Sequence, residues 1–258
     1  MSQNEKYTRQ TIIAKQTWAP SLFTFRITRD PGFRFIPGQF ARLGVKKGEQ
    51  IVWRAYSMTS ADYDDFLEFY SIVVPDGEFT PELARLGVGD DIYLDRQAFG
   101  YLTTDRFELG RDLWMLSTGT GLAPFLSILQ DPAVWQHYER LVLVHGARHE
   151  SELAYEAEIA AFAEHPMVGE FTHKLRYLRA VTRDEPKPGT LKGRITELLT
   201  SGELERVAGV AVDKAHSHVM ICGNPNMVAD LRQLLQERYG LNVPRRGQPG
   251  NLVTENGF

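Results

Sequence analysis

Arg54, Ala55, Tyr56 and Ser57 stand in one extended run and present a cation, a phenol and a hydroxyl within four positions. A second run, Thr118-Gly119-Thr120-Gly121-Leu122-Ala123-Pro124, follows a separate apolar stretch. The first set suits a flavin dinucleotide, with a guanidinium for the pyrophosphate, a flat ring for the isoalloxazine and a hydroxyl for its reactive nitrogen. The second suits a nicotinamide dinucleotide, because Gly119 and Gly121 permit a tight bend and close approach of a pyrophosphate while Pro124 fits a first helical turn. One chain would then hold both ends of a hydride transfer.

Around the first set, Tyr70-Ser71-Ile72-Val73 offers a neighbouring strand whose backbone can hold a ribityl chain. Gly77-Glu78-Phe79-Thr80 then opens a short helix over about Thr80 to Leu86, with Thr80 as N-cap and Pro81 at N1. A helix start carrying a free hydroxyl and unpaired N–H groups also favours phosphate, so Phe79 and Thr80 are expected to complete the cradle begun by Arg54. An exposed arginine beside a core tyrosine is the competing reading of the tetrapeptide.

Around the second set, the next strand runs into Gly146-Ala147-Arg148-His149 rather than into the Asp or Glu usual where an unphosphorylated ribose is bound. Arg148, with Arg183 after Arg179-Ala180-Val181-Thr182 and Arg194 after Gly193, would clamp a 2′-phosphate, which favours NADP over NAD. Cys222-Gly223-Asn224-Pro225 closes a further strand, and a small thiol at Cys222 can lie beside a nicotinamide without blocking it. Surface arginines and an inert buried cysteine are the alternatives.

These residues need two kinds of scaffold. From Tyr7 to about Leu94, short β-branched and aromatic segments such as Leu22–Ile27 and Leu67–Val73 alternate between turns, as in an antiparallel barrel. After Asp105 strand and helix alternate, which requires a parallel sheet. Strands are expected at Leu113–Leu116, Leu141–Val144, Lys174–Val181 and His218–Cys222. Helices are expected from Pro124, over Ser151–Glu164, near Gly193–Thr200 and over Met227–Tyr239. The domains are drawn as 1–104, an antiparallel β-barrel, and 105–258, an α/β unit.

The chain of 258 residues is long enough for two cores. Its net charge of −4 argues against nucleic acid as a partner. The single cysteine excludes an internal disulfide and any cysteine-held cluster or zinc site. No apolar run is long enough to cross a bilayer and no leader pattern marks export, so the cytoplasm is expected. His145 with His149 and His216 with His218 have spacings that could pair on a metal, but no carboxylate or thiol set accompanies them, so no metal is expected.

In this order and over nearly the full length, Arg-Ala-Tyr-Ser, Leu-Glu-Phe-Tyr, Val-Pro-Asp-Gly, Thr-Gly-Thr-Gly, Ser-Gly-Glu-Leu-Glu and Cys-Gly-Asn-Pro-Asn-Met-Val resemble the ferredoxin/flavodoxin–NADP reductases of the short bacterial type. The resemblance implies an FAD-binding barrel, an NADP(H)-binding α/β domain and electron transfer at their junction. It implies FAD contacts at Arg54, Ala55, Tyr56, Ser57, Ser71, Ile72, Val73, Glu78, Phe79, Thr80 and Thr120. NADP(H) contacts are implied at Arg148, Thr182, Arg183, Arg194, Gly223, Asn224, Pro225 and Asp230. It also implies an aromatic cover for the flavin near the C-terminus, at Gly257-Phe258, making Phe258 with Ser57 and Cys222 the expected catalytic group.

The partner implied is ferredoxin or flavodoxin, acting on a monomer, with Lys46, Lys47, Arg245 and Arg246 as steering cations. Rival expectations are an oxygenase-feeding reductase component, a free-flavin reductase and a non-catalytic NADP(H)-sensing module.

Overall fold

A chain with an alternating first part and continuous apolar strands later must build two different sheets, and it does. The computed structural model describes residues 6–108, 110–245 and 248–257. Its first sheet comprises β1 (Tyr7–Ala19), β2 (Leu22–Thr28), β3 (Phe40–Lys47), β4 (Gln50–Ser57), β5 (Phe66–Ile72) and β6 (Asp91–Phe99). The order is β4-β3-β6-β1-β2-β5, all antiparallel, and a bridge between Met58 and Phe69 joins the two ends. This closure makes a barrel around Phe25, Ile27, Leu43, Met58, Leu67, Phe69 and Leu94. It also brings the ends of β4 and β5 together, although they are sheet edges in the strand order.

Helix α1 (Thr80–Arg85) lies between β5 and β6. Its N-cap is Phe79 rather than the expected Thr80. The Thr80 hydroxyl instead accepts from the Val74 amide at 2.8 Å and so ties down the loop ahead of the helix.

The second sheet follows β7 (Asp112–Thr118), α2 (Ala123–Ile128), α3 (Pro132–His137), β8 (Arg140–Ala147), α4 (Glu156–Ala160), β9 (Leu175–Val181), β10 (Thr190–Lys192), α5 (Ile195–Thr200), α6 (Glu203–Ala208), β11 (Ser217–Gly223), α7 (Pro225–Tyr239) and β12 (Leu252–Asn256). All pairs are parallel in the order β10-β9-β8-β7-β11-β12. Leu113, Met115, Leu141 and Leu143 enter the core on one face, while Trp114, Leu116, Val142 and Val144 enter the other. Burial on both faces is why these strands read as unbroken apolar runs. The chain builds outward from β7 to β10 and then returns to add β11 on β7's other side, so the topological switch lies between the ends of β7 and β11.

The expected helix over Ser151–Glu164 is broken. A single 3₁₀ turn at Glu150–Glu152 is followed by Tyr155 in the left-handed region at φ 67°, and only then by α4. A tertiary contact accounts for the break, because the Tyr155 ring lies 4.9 Å from Trp18 and 5.2 Å from Tyr70, both barrel residues. Its hydroxyl shares a 2.5 Å hydrogen bond with Thr24, whose oxygen also accepts from the Trp18 indole at 2.7 Å. Leu22 and Tyr70 of the barrel belong to the same buried cluster as Phe125, Leu126 and Ile159, so the seam is continuous with the α/β core. Ser127 and Gln130 add hydrogen bonds to the Ser60 and Thr59 carbonyls at 2.8 and 2.6 Å.

Replacing Tyr155 by Phe keeps the ring and removes this buried hydroxyl. Urea denaturation should show a loss of about 0.5–1.5 kcal/mol, the net worth of a buried hydrogen bond, because Thr24 keeps the Trp18 indole as a partner. Unchanged stability would mean that the ring alone holds the seam.

Candidate active site

Two clefts open along the join. The inner one, about 280 Å³, is walled by the end of β4, the end of β5, the approach to α1, the Thr120–Gly121 turn and the final strand. The outer one, about 1100 Å³, runs over the carboxyl ends of β7, β8, β9 and β11. Ile72, Thr120 and Gly257 line both. The clefts are therefore two arms of one site.

In the inner arm Tyr56 packs 5.5 Å from Phe79, itself buried in the barrel core. Its phenol shares a 2.9 Å hydrogen bond with the Ser71 hydroxyl. Burial pushes the phenol up to about 12, so it stays a neutral donor. Arg54 is exposed at the mouth, where its guanidinium donates to the Trp53 carbonyl at 2.8 Å. Ala55, Ile72 and Glu78 also line this arm, whereas Val73 packs against the barrel core and Val74 takes the lining position. Thr80 lines the arm with its hydroxyl already engaged by Val74, so it is not the free hydroxyl expected.

Ser57, Cys222 and Glu255 also line this arm. Glu255 comes from β12, whose register sets it beside Cys222 of β11. Ser57 of β4 and Glu255 of β12 line the arm from opposite sides of the domain join. Burial pushes the Glu255 carboxyl up to about 7 against the opposing influence of the Ser57 hydroxyl, so it exchanges a proton near neutrality. The Cys222 thiol is driven well above its ordinary range by burial, and secondarily by Glu255, and remains protonated.

Close backbone approach shapes the place where β7 and β11 end side by side. Gly223, at φ +142°, packs so tightly that a Cβ would lie 2.3 Å from Thr118 Oγ1. A Cβ on Gly121 would lie 2.3 Å from the Cys222 carbonyl oxygen. Thr118 Oγ1 accepts from the Asn224 amide at 3.0 Å, and Asn224 caps α7 through the Asn226 and Met227 amides. Glycine at both loops thus leaves bare backbone at the floor of the outer arm, where Gly119 and Gly223 line it.

Arg148, Thr182, Arg183, Arg194, Gly223, Asn224, Pro225 and Asp230 all line that arm. Arg148 lies 3.5 Å from Glu152. Arg183 and Arg194 are exposed and have no ion-pair partner among the described residues. Unpaired guanidinium groups around a concave wall make a receptor for a multiply charged anion.

The sequence profile of the "Oxidoreductase NAD-binding domain" family matches residues 115–233. Ferredoxin–NADP reductase A of Sorangium cellulosum is 42% identical over 259 residues, covering 98% of this chain and 90% of that protein. This chain belongs to the ferredoxin/flavodoxin–NADP reductases. The ferredoxin–NADP reductase of Pseudomonas aeruginosa is 40% identical over 253 residues, with 96% of each chain covered. A crystal structure of the ferredoxin NADP+ reductase from Neisseria gonorrhoeae with bound FAD and NADP superposes with a TM-score of 0.92 at 38% identity, covering 99% of this chain and 100% of that one.

In this reductase the expected ring cover Phe258 and the expected steering cation Arg246 lie outside the described residues. Lys47 lies 3.9 Å from Glu78 at the rim of the inner arm, Lys46 sits over the Tyr93 ring at 6.0 Å, and Arg245 is exposed in a bridge with Gln248. His149 pairs with Asp184, His216 with Asp213 and His218 with Tyr138, and no group of three or more His, Cys, Asp or Glu suited to a metal occurs among the described residues. His145 is fully buried, and burial pulls its imidazole down to about 4. No described helix is long and apolar enough to cross a membrane.

Glu255 is the site residue that sequence reasoning missed. The signal available was Leu252-Val253-Thr254, a short apolar and β-branched run that reads as a tail unless it is paired with β11.

Glu255 also gives the site a pH signature. Its folded value near 7 exceeds its ordinary 4.5, so the native state holds the proton longer and this stabilisation is complete below about pH 4.5 and lost as pH rises through 7. Glu255→Gln should remove a decline of about 1–3 kcal/mol between pH 4.5 and 7.5 in denaturation experiments. Parallel pH profiles for the two proteins would contradict this assignment.

Proposed function

We propose that this chain is an FAD-dependent reductase that exchanges hydride with NADPH and single electrons with ferredoxin or flavodoxin. One observation carries the reading: an inner arm lined by neutral donors and an outer arm lined by arginines meet at Ile72, Thr120 and Gly257. A ring held in the first and a nicotinamide entering from the second would come face to face there.

The residues present fit both groups. FAD in the inner arm would have Arg54 and the backbone before α1 for its pyrophosphate, Tyr56 against its ring and Ser57 at the ring edge. NADPH in the outer arm would have the Gly119–Gly121 turn and the start of α7 for its pyrophosphate, with Arg148, Arg183 and Arg194 for its 2′-phosphate. The donor set supports this, because Arg183 and Arg194 line the outer arm exposed and without an ion-pair partner among the described residues, and Arg54 lines the inner arm with its side chain exposed.

FAD, when bound, supplies the redox step, taking two electrons with a hydride and releasing them singly. The protein's share is position and charge. Ser57 can turn its hydroxyl to the ring edge, while Glu255, titrating about 7 in the same arm, can take or return a proton there. Cys222, neutral and small, shapes the nicotinamide's resting place without adding charge. Phe258 is proposed as the ring cover that yields to nicotinamide. Lys46, Lys47, Arg245 and Arg246 are proposed to steer an acidic partner. We further propose a cytoplasmic monomer divided near residue 104.

Anaerobic stopped-flow mixing of the yellow protein should show NADPH bleaching the flavin much faster than NADH does. Ser57→Ala should slow that bleaching by roughly 10- to 1000-fold, the range for loss of a hydrogen-bond donor or proton-transfer group, while leaving FAD content intact. A colourless protein would end the flavin reading. Normal bleaching by Ser57→Ala would end the serine's role.

A further inference from the structure

The two turns that carry Arg148 and Arg183 are tied together by bonds that the reading above does not use. Their backbones already touch, since the Arg183 amide donates to the Arg148 carbonyl at 2.8 Å. Each arginine is followed by a side chain that reaches across to the other turn. His149 Nδ1 lies 2.7 Å from Asp184 Oδ1, and the Glu150 amide donates to Asp184 Oδ2 at 2.8 Å. The Glu150 carboxylate in turn accepts from the Lys187 amide at 2.8 Å. Lys192 Nζ donates to the Asp184 carbonyl.

Asp184 is in an awkward place for a site that must attract a phosphate. It adjoins Arg183, so a free carboxylate there would pair with that guanidinium or repel the incoming dianion. Instead both its oxygens are occupied by the neighbouring turn. The same tie holds the Arg148 and Arg183 stems at one spacing. Since a carboxylate only accepts, Nδ1 is the donor in this pair, which fixes the imidazole's orientation.

We propose that His149 is a positioning residue that sequesters Asp184 away from the arginines and thereby sets the outer arm's selectivity for a nucleotide bearing a 2′-phosphate. This rests on the NADPH reading of that arm. His149 and Asp184 are both partly exposed, at 41% and 35%, so the effect is a tuning of selectivity rather than an all-or-none requirement.

The test is calorimetric titration of the flavin-loaded protein with 2′-phospho-AMP and, separately, with 5′-AMP. His149→Ala should weaken 2′-phospho-AMP by about three- to fivefold and leave 5′-AMP unchanged. Adding Asp184→Asn to it should restore the lost affinity, because no free carboxylate then remains. Unchanged 2′-phospho-AMP binding by His149→Ala, no recovery in the double variant, or equal weakening of both nucleotides would overturn the proposal while leaving the NADPH reading in place. Equal affinity of the unaltered protein for the two nucleotides would overturn the NADPH reading itself, and this proposal with it.

Discussion

Everything at the site depends on the apolar seam that fixes the barrel to the α/β unit. Trp18, Leu22, Tyr70 and Ile72 project from the barrel into the cluster that α2 and α4 complete, so the two units share buried surface. Protein interiors are packed too densely to slide continuously. A displacement of the seam by one side chain would part Ser57 from Glu255, since the first belongs to β4 and the second to β12. Neither domain contains the site; it exists where they join.

The two arms divide the electrostatic work. Inside, Tyr56 and Cys222 are held neutral by burial, and Glu255 sits where it can be charged or not. Charges there act through a poorly screened medium, so a small set of neutral donors and one exchangeable proton suffices. Outside, Arg183 and Arg194 are exposed to solvent, where individual pairs are weak and several cations must act together. The glycine contacts at Gly121 and Gly223 let these two regimes meet within one backbone thickness.

Much of the fold was legible because it rests on local pattern. Alternation in Leu22–Ile27 and Leu67–Val73, and unbroken apolar runs in Leu113–Leu116 and Leu141–Val144, marked the barrel and the parallel sheet. Short elements at Pro132–His137, Thr190–Lys192, Glu203–Ala208 and Leu252–Asn256 carry too few residues for a period to show. Tyr155 lies in a stretch with ordinary helical character, and its left-handed backbone follows from a ring captured by barrel residues far away in the sequence, Trp18 and Tyr70. Thr80 looked like a cap because cap residues and loop ties use the same hydroxyl, and only the fold decides which amide comes near.

The sequence by itself determined the residue chemistry: a cation, phenol and hydroxyl at Arg54–Ser57, a glycine turn at Thr118–Gly121, arginines after successive strands and a lone thiol at Cys222. Each is a local property, set by a side chain and the element that bears it. Tertiary structure alone decided that Glu255 joins Ser57 in the inner arm, that Asp184 turns toward His149, and that the inner and outer arms share Ile72, Thr120 and Gly257. Those contacts depend on strand order and on the seam between domains, which bring distant segments within hydrogen-bond range, and no local periodicity encodes such distances.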